Sequence, residues 1–139
     1  MPESLSAMLD VPVGLENRLT ITSSRKDSAE SFGNAGVDVV ATPALIGFLE
    51  QAAGRALKPY MSPDEVTLGT MIDVQHLGAA PVGAAIDCTA RVTAVDDNRV
   101  TFAVEARWNG RTLMKGRHGR AVVDGARFFR RLEEMTSEG

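Results

Sequence analysis

The segment that decides the fold is ATPALIGFLEQAAGRAL, residues 41–57. Thr42 is a favourable N-cap, and Pro43 suits the first helical position, where its missing N–H leaves no hydrogen bond unmade. Together they predict a helix over roughly residues 43–58. Apolar side chains cover most of its circumference, which indicates burial on several sides. These side chains are Leu45, Phe48, Leu49, Ala52, Ala53, Ala56 and Leu57.

Alternating apolar and polar residues on both sides of the helix predict strands. One run lies before the helix, and four follow Pro63. The runs are residues 14–24, 70–78, 86–94, 100–108 and 111–124. An Asn109-Gly110 pair before the last run favours a type I′ hairpin. We interpret the four consecutive runs as an antiparallel meander with one apolar face.

The remaining segments carry weaker patterns. Residues 25–36 (RKDSAESFGNAG) are polar and contain glycine, so a mobile loop is expected. Residues 127–135 (RFFRRLEEM) predict either a short helix or an extension of the last strand. Residues 1–12 are irregular and are predicted to be flexible.

A strand, a long buried helix and four antiparallel strands predict the α+β hot-dog fold, in which an antiparallel sheet wraps around a central helix. A cone-shaped α+β barrel is the second choice, because it usually has more helix before its sheet. With 139 residues and 44% hydrophobic content, the chain fits a single domain over residues 1–139.

The composition argues against several kinds of partner and site. A net charge of −3 gives no overall basic field, so nucleic acid is not an expected partner. The single cysteine, Cys88, cannot form an internal disulfide, it reads as a small core residue, and no Cys/His spacing predicts a metal site. Neither a secretion signal nor an apolar run of about 18 residues is present, which predicts a cytoplasmic protein that does not enter the membrane.

Three polar residues interrupt segments that otherwise read as core: Thr42, Glu50 and His76. Each would be costly to bury without a partner. Thr42 can be a plain helix cap, Glu50 an exposed helix glutamate and His76 a structural histidine. Together they also suit a reaction centre, because a helix N-terminus can stabilise a developing oxyanion while a carboxylate and an imidazole move protons.

Four segments in order carry a family resemblance: ATPALIGFLEQAA (41–53), TLGT (67–70), VQHLGAAPVG (74–83) and GRHGRAVV (116–123). Over roughly residues 38–130 the chain resembles the fluoroacetyl-CoA thioesterase-like family of hot-dog proteins. The resemblance implies an acyl-CoA thioesterase that needs no cofactor beyond the CoA of its substrate. It places the family's catalytic residues on Thr42, Glu50 and His76, and substrate-binding residues on Gly69 and Arg120.

These residues suggest specific roles. Glu50 would act as nucleophile or as base toward water. His76 shares the face of Ile72 and Val74, so its ring is expected on the helix side of the sheet, near Glu50 and Thr42. Arg120 can clamp an anionic group of the substrate or form a structural ion pair. His118 is expected to be structural.

The segment before Thr42 departs from the family. Aromatic lid residues are characteristic there, whereas residues 31–40 read SFGNAGVDVV, with Phe32 but glycines at 33 and 36. We therefore expect a short or medium acyl-CoA substrate, with a fluoroacetyl-CoA-like one as an alternative, and Phe32 as a substrate contact.

Other readings stay open. Rival functions are a non-catalytic acyl-ligand binding protein and a hot-dog hydratase or dehydratase. The Gly/Ala-rich helix predicts a homodimer joined at the edges of two sheets, with ligand sites at the interface. Arg127, Arg130 and Arg131 can hold CoA phosphates or form a solvated basic face.

Overall fold

An antiparallel sheet of five strands packs around one central helix in a computed structural model that describes residues 9–138. This is the predicted α+β arrangement. In chain order the elements are β1 (Glu16–Thr22), α1 (Thr42–Leu57), β2 (Glu65–His76), β3 (Ala85–Asp96), β4 (Arg99–Trp108), β5 (Arg111–Asp124) and α2 (Gly125–Glu138).

The strand order is β1-β3-β4-β5-β2, so the predicted four-strand meander is wrong in one respect. Strands β3, β4 and β5 form a meander, but β2 pairs with β5 at the far edge and not with β3. Alternation reports which face a side chain occupies and carries no information on which strand lies alongside. The predicted type I′ turn is confirmed, because Asn109 and Gly110 both have positive φ, 53° and 73°.

The connection from β2 to β3 passes the start of α1. Val40 N–H donates to the carbonyl of Ala80 at 2.9 Å, and Val39 forms an isolated bridge with Pro81. This contact fixes the helix N-terminus beside the end of β2. The topology therefore brings Thr42 to His76, although 34 residues separate them in the chain.

Helix α1 presents one wide apolar face to the sheet and leaves the other face open. The buried residues include all those predicted from the sequence, namely Leu45, Phe48, Leu49, Ala52, Ala53, Ala56 and Leu57. Gly47, Glu50 and Gly54 are only partly buried, and Gln51 is exposed. The expected burial on several sides is thus incomplete within one chain.

The inward faces of β3 and β4 follow the predicted alternation, with Cys88 and Phe102 among the buried residues. Ala94 is an exception, because a register shift between Val92 and Ala94 turns it outward. Residues 25–36 hold two short 3₁₀ turns, Arg25–Asp27 and Glu30–Phe32.

The two chain ends differ from the strand-rich centre. Of the segment predicted to be flexible, residues 1–8 lie outside the described part, while Leu9 and Val11 are buried in the core. The C-terminal segment forms the predicted helix, α2, rather than a strand extension. Within residues 9–138, no helix combines the length and the apolar character needed to cross a membrane.

Candidate active site

Thr42 and His76 form a direct pair. Thr42 Oγ1 and His76 Nδ1 lie 2.6 Å apart, and both residues are solvent-exposed. The predicted capping role of Thr42 is wrong: Ala41 is the N-cap, Thr42 is the first helical residue, and no side chain caps the helix. Because the hydroxyl is not engaged by the helix backbone, it is available to the imidazole.

This pair can move a proton. A hydroxyl donates to Nδ1 when the imidazole carries its proton on Nε2, so Nε2–H is then available to a third group. The free N–H groups of the first helical turn lie at the same end of α1, where the helix dipole favours negative charge. The Thr42 end therefore offers both a proton relay and a place for an oxyanion.

Glu50 belongs to a second cluster, eight residues further along α1 and so about 12 Å along the helix axis. Glu50 Oε2 lies 3.8 Å from Arg120 Nη1. The Glu50 side chain is 44% exposed, whereas that of Arg120 is 11% exposed. Water screens such a partly exposed pair, so the Glu50–Arg120 ion pair orients the carboxylate more than it stabilises the fold.

Gly69 makes room for the Glu50 carboxylate. A Cβ built on Gly69 would lie 2.5 Å from Glu50 Oε2, closer than nonbonded atoms approach. Gly69 also pairs with Arg120 in the β2–β5 register. The predicted residues Glu50, Gly69 and Arg120 are therefore brought together.

Arg120 is anchored on both sides of its guanidinium. Its Nε donates to Thr67 Oγ1 at 3.0 Å, Nη2 donates to the Thr67 carbonyl at 3.2 Å, and Nη1 contacts His118 Nε2 at 3.2 Å. Burial lowers the pKa of Arg120, and nearby Glu50 opposes this effect. Sequence reasoning missed Thr67, although Thr67 and Gly69 share one face of β2 by period-two spacing.

His118 is buried, as expected for a structural histidine, with 1% of its surface exposed. Its Nδ1 lies 2.8 Å from the Met71 carbonyl. The pKa of His118 is lowered first by burial and further by the Arg120 charge, while the Met71 hydrogen bond and Glu50 act in the opposite direction.

The predicted approach of Glu50 to His76 is wrong within one chain. The carboxylate lies beside Gly69, and Gly69 and His76 pair with Arg120 and Met114, which are six residues or about 20 Å apart along β5. Strand parity placed His76 on the correct side of the sheet but carried no information on position along β2. Each chain therefore carries two separate clusters, Thr42 with His76 and Glu50 with Gly69 and Arg120.

The surface offers two pockets of interest. One of about 400 Å³ lies over Gly47, Glu50, Gly54 and Arg120. A larger groove of about 960 Å³ crosses the polar outer face of the sheet and is lined by none of the predicted site residues. Charged and small residues converge at the smaller pocket. Within residues 9–138, no group of three or more His, Cys, Asp or Glu side chains is arranged to hold a metal ion.

The other predicted contacts lie elsewhere. Phe32 ends a 3₁₀ turn and is 55% exposed. The side chains of Arg127, Arg130 and Arg131 are exposed on α2. Cys88 is buried, and burial, with a smaller contribution from Asp87, raises the pKa of its thiol to about 12. It is therefore a core residue and not a nucleophile.

A sheet wrapped around a helix, with threonine, histidine and carboxylate groups at its open face, defines a hot-dog protein of the thioesterase class. The family described as fluoroacetyl-CoA-specific thioesterase matches residues 24–126, and the chain belongs to this family.

Known proteins agree with this assignment. The chain is 34% identical over 102 residues to the fluoroacetyl-CoA thioesterase of Streptantibioticus cattleyicolor, with 73% of each chain covered. A variant of the fluoroacetyl-CoA protein FlK, solved in complex with acetyl-CoA, has a TM-score of 0.86 at 27% identity, covering 90% of this chain and 98% of its own. A thioesterase-superfamily protein from Thermus thermophilus has a TM-score of 0.83 at 25% identity, covering 93% and 98%. The predicted fold and the predicted acyl-CoA thioesterase class are confirmed.

Proposed function

We propose that the chain hydrolyses a short or medium acyl-CoA to the free acid and CoA, at a site completed by a second copy of the chain, in the cytoplasm. The observation that carries the proposal is that two clusters lie at different positions along edge strand β2: Thr42 with His76, and Glu50 with Gly69 and Arg120. We call them half-sites, because each would supply part of one reaction site. Neither half alone holds a proton relay, a carboxylate and an anchored cation.

Two-fold pairing of the β2 edges would join the halves. Strand β2 has 12 residues, and among residues 9–138 nothing pairs with its outer edge. Ile72 on its helix-facing side is 41% exposed. An antiparallel pair centred on Asp73 puts His76 of one copy opposite Thr70 of the other, at the register shift next to Gly69. Thr42 and His76 would then face the partner's Glu50, Gly69 and Arg120.

The open face of α1 supports the same assembly. A Cβ built on Gly47 would meet no atom within 4 Å, so nothing in the described part of this chain requires glycine there. Glycine inside a helix costs about 0.5–1 kcal/mol relative to alanine. Close approach of a second copy or of the substrate is a physical reason to keep it.

In the reaction, the thioester carbonyl would lie near the N-terminus of α1 and the partner's Gly69. Glu50 would either attack the carbonyl carbon to form an anhydride, which water then hydrolyses to the free acid and Glu50, or take a proton from water as the water attacks. His76 would deliver a proton to the departing CoA thiolate and regain one that the attacking water releases. Thr42 would orient His76 and the thioester. Arg120 would hold Glu50 or the developing negative charge.

The acyl group is limited by the segment before α1. Gly33 and Gly36 have φ of 101° and 80°, a backbone conformation that favours glycine. Phe32 is the one aromatic residue in segment 31–40 that could cover an acyl group. We therefore favour short or medium acyl groups over a strict fluoroacetyl preference, with Phe32 as a contact of the acyl chain.

The decisive measurement is thiol release from a panel of acyl-CoAs, including fluoroacetyl-CoA, with the wild type and Glu50→Gln. We expect turnover of at least one short or medium acyl-CoA by the wild type and a loss of about 10² to 10⁴ in the variant. Binding without turnover across the panel would instead identify an acyl-CoA binding protein. Equal turnover by both proteins would remove Glu50 from the mechanism.

A further inference from the structure

The hydrogen bonds around His118 determine which of its ring nitrogens carries the proton. Arg120 has only donors, so its Nη1, 3.2 Å from His118 Nε2, requires Nε2 to be an acceptor. The Met71 carbonyl has no proton to give, so Nδ1, 2.8 Å away, must carry the N–H. One neutral tautomer satisfies both contacts.

A protonated ring would break this arrangement. Nε2 would then present an N–H to the guanidinium, with two positive charges side by side. The charged groups that face His118 are Arg120 on its own strand and Glu50 on α1, while β2 contributes the Met71 carbonyl and β4 the stacked ring of Phe102, 6.4 Å between centroids. Burial and Arg120 both disfavour the protonated ring, which keeps Nε2 available.

His118 therefore acts on the reaction centre through Arg120. Thr67 accepts hydrogen bonds from Nε and Nη2 of the guanidinium, and Nη1 lies between His118 Nε2 at 3.2 Å and Glu50 Oε2 at 3.8 Å. We propose that His118 is a positioning residue, which as the neutral Nδ1–H tautomer fixes the Arg120 guanidinium against Glu50 and Gly69. This inference rests on the proposed function, because it assigns Glu50 to the reaction.

Four variants separate positioning from packing. His118→Leu removes the acceptor and the donor, and His118→Gln keeps an acceptor near the position of Nε2. Arg120→Met removes the group on which His118 acts. Val122→Ala is the matched control, since Val122 is fully buried on the same face of β5 and makes no side-chain hydrogen bond.

We expect His118→Leu to lower kcat about tenfold with little change in KM, because a displaced guanidinium misorients Glu50. His118→Gln should recover most of this loss. In the Arg120→Met background, His118→Leu should have no further effect on kcat. Val122→Ala should lower the Tm and leave kcat unchanged. Independent, multiplicative losses in the double variant, or an unchanged kcat in His118→Leu, would overturn the proposal.

A second measurement does not depend on turnover. The chain has two histidines, so ¹⁵N-imidazole spectra of His76→Ala report His118 alone. We expect the Nδ1–H tautomer, and a higher His118 pKa after Arg120→Met is added, since a neighbouring positive charge is removed. An Nε2–H tautomer would refute the positioning role even in an active enzyme. The expected tautomer in a protein that hydrolyses no acyl-CoA would instead refute the proposed function alone.

Discussion

The Glu50 carboxylate occupies the space that a side chain at Gly69 would fill. A Cβ on Gly69 would fall 2.5 Å from Glu50 Oε2, while its other neighbours stay at 3.4 Å or beyond. The Glu50 carboxylate is the free end of a flexible side chain, so it can move aside. The contact therefore constrains the position of the carboxylate more than the stability of the fold.

Gly69→Ala should accordingly lower kcat strongly, by about 10²-fold, because small displacements of a reacting group are costly. The Tm should change by only a few degrees, as expected for a change of roughly 1 kcal/mol. Shortening the carboxylate in Gly69→Ala/Glu50→Asp should cost less than Glu50→Asp does in the wild type. A Gly69→Ala protein with normal kcat would show that the carboxylate position is unimportant.

Mixing two inactive variants should restore activity if the half-sites come from different copies. Copies with Glu50→Gln and His76→Ala, unfolded and refolded together, form mixed dimers in about half of the molecules, each with one intact site. We expect about a quarter of wild-type turnover. Thr42→Ala mixed with His76→Ala is the control, since both changes damage the same half-site and should not complement. Sedimentation that shows only monomer at micromolar concentration would also contradict this prediction.

Thr42→Ser should be milder than Thr42→Ala, because serine keeps the hydroxyl that reaches His76. Since that hydroxyl does not cap the helix, Thr42→Ala should cost less than the roughly 1 kcal/mol typical of a lost N-cap. Steady-state kinetics and thermal unfolding of both variants test the two statements. Equal kcat for serine and alanine would remove the hydroxyl from the mechanism.

Stability should fall in mildly acid solution because of His118. Its pKa in the folded protein is lowered from the ordinary 6.5, so the unfolded chain binds the proton more strongly. The stabilisation is complete above pH 6.5 and decreases as the pH falls from 6.5 toward the folded pKa, by at most about 1.4 kcal/mol per unit. Urea unfolding at pH 7.5 and pH 5 should show this decrease in the wild type and a smaller one in His118→Gln. An equal decrease in both would assign it to other groups.

Cys88 should be unreactive in the folded protein. With its thiol buried and its pKa raised to about 12, almost no thiolate exists at pH 8. Iodoacetamide should modify the chain only after unfolding, and Cys88→Ala should keep normal kcat. Fast labelling of the native protein would contradict this burial.

The sequence predicted the helix, the inward faces of β3 and β4, the Asn109-Gly110 turn and the family. These features depend on local periodicity, turn chemistry or a set of motifs in order. It did not predict that β2 pairs with β5, because strand order depends on contacts between distant segments. The same limit explains why the predicted close approach of Glu50 to His76 is wrong. That both lie on the same side of the sheet follows from strand parity, but their separation depends on where α1 crosses β2.

The pairing of β2 with β5 also has a consequence during synthesis. Strand β2 ends at residue 76, but its partner is complete only at residue 124. At about 5–20 residues per second, a ribosome needs roughly 2–10 s to make the intervening stretch. Throughout that time β2 has no sheet partner among residues 9–76, and its exposed backbone can pair with another nascent chain. The strand that would join two finished copies is therefore open to pairing with other nascent chains while its own chain is still being made.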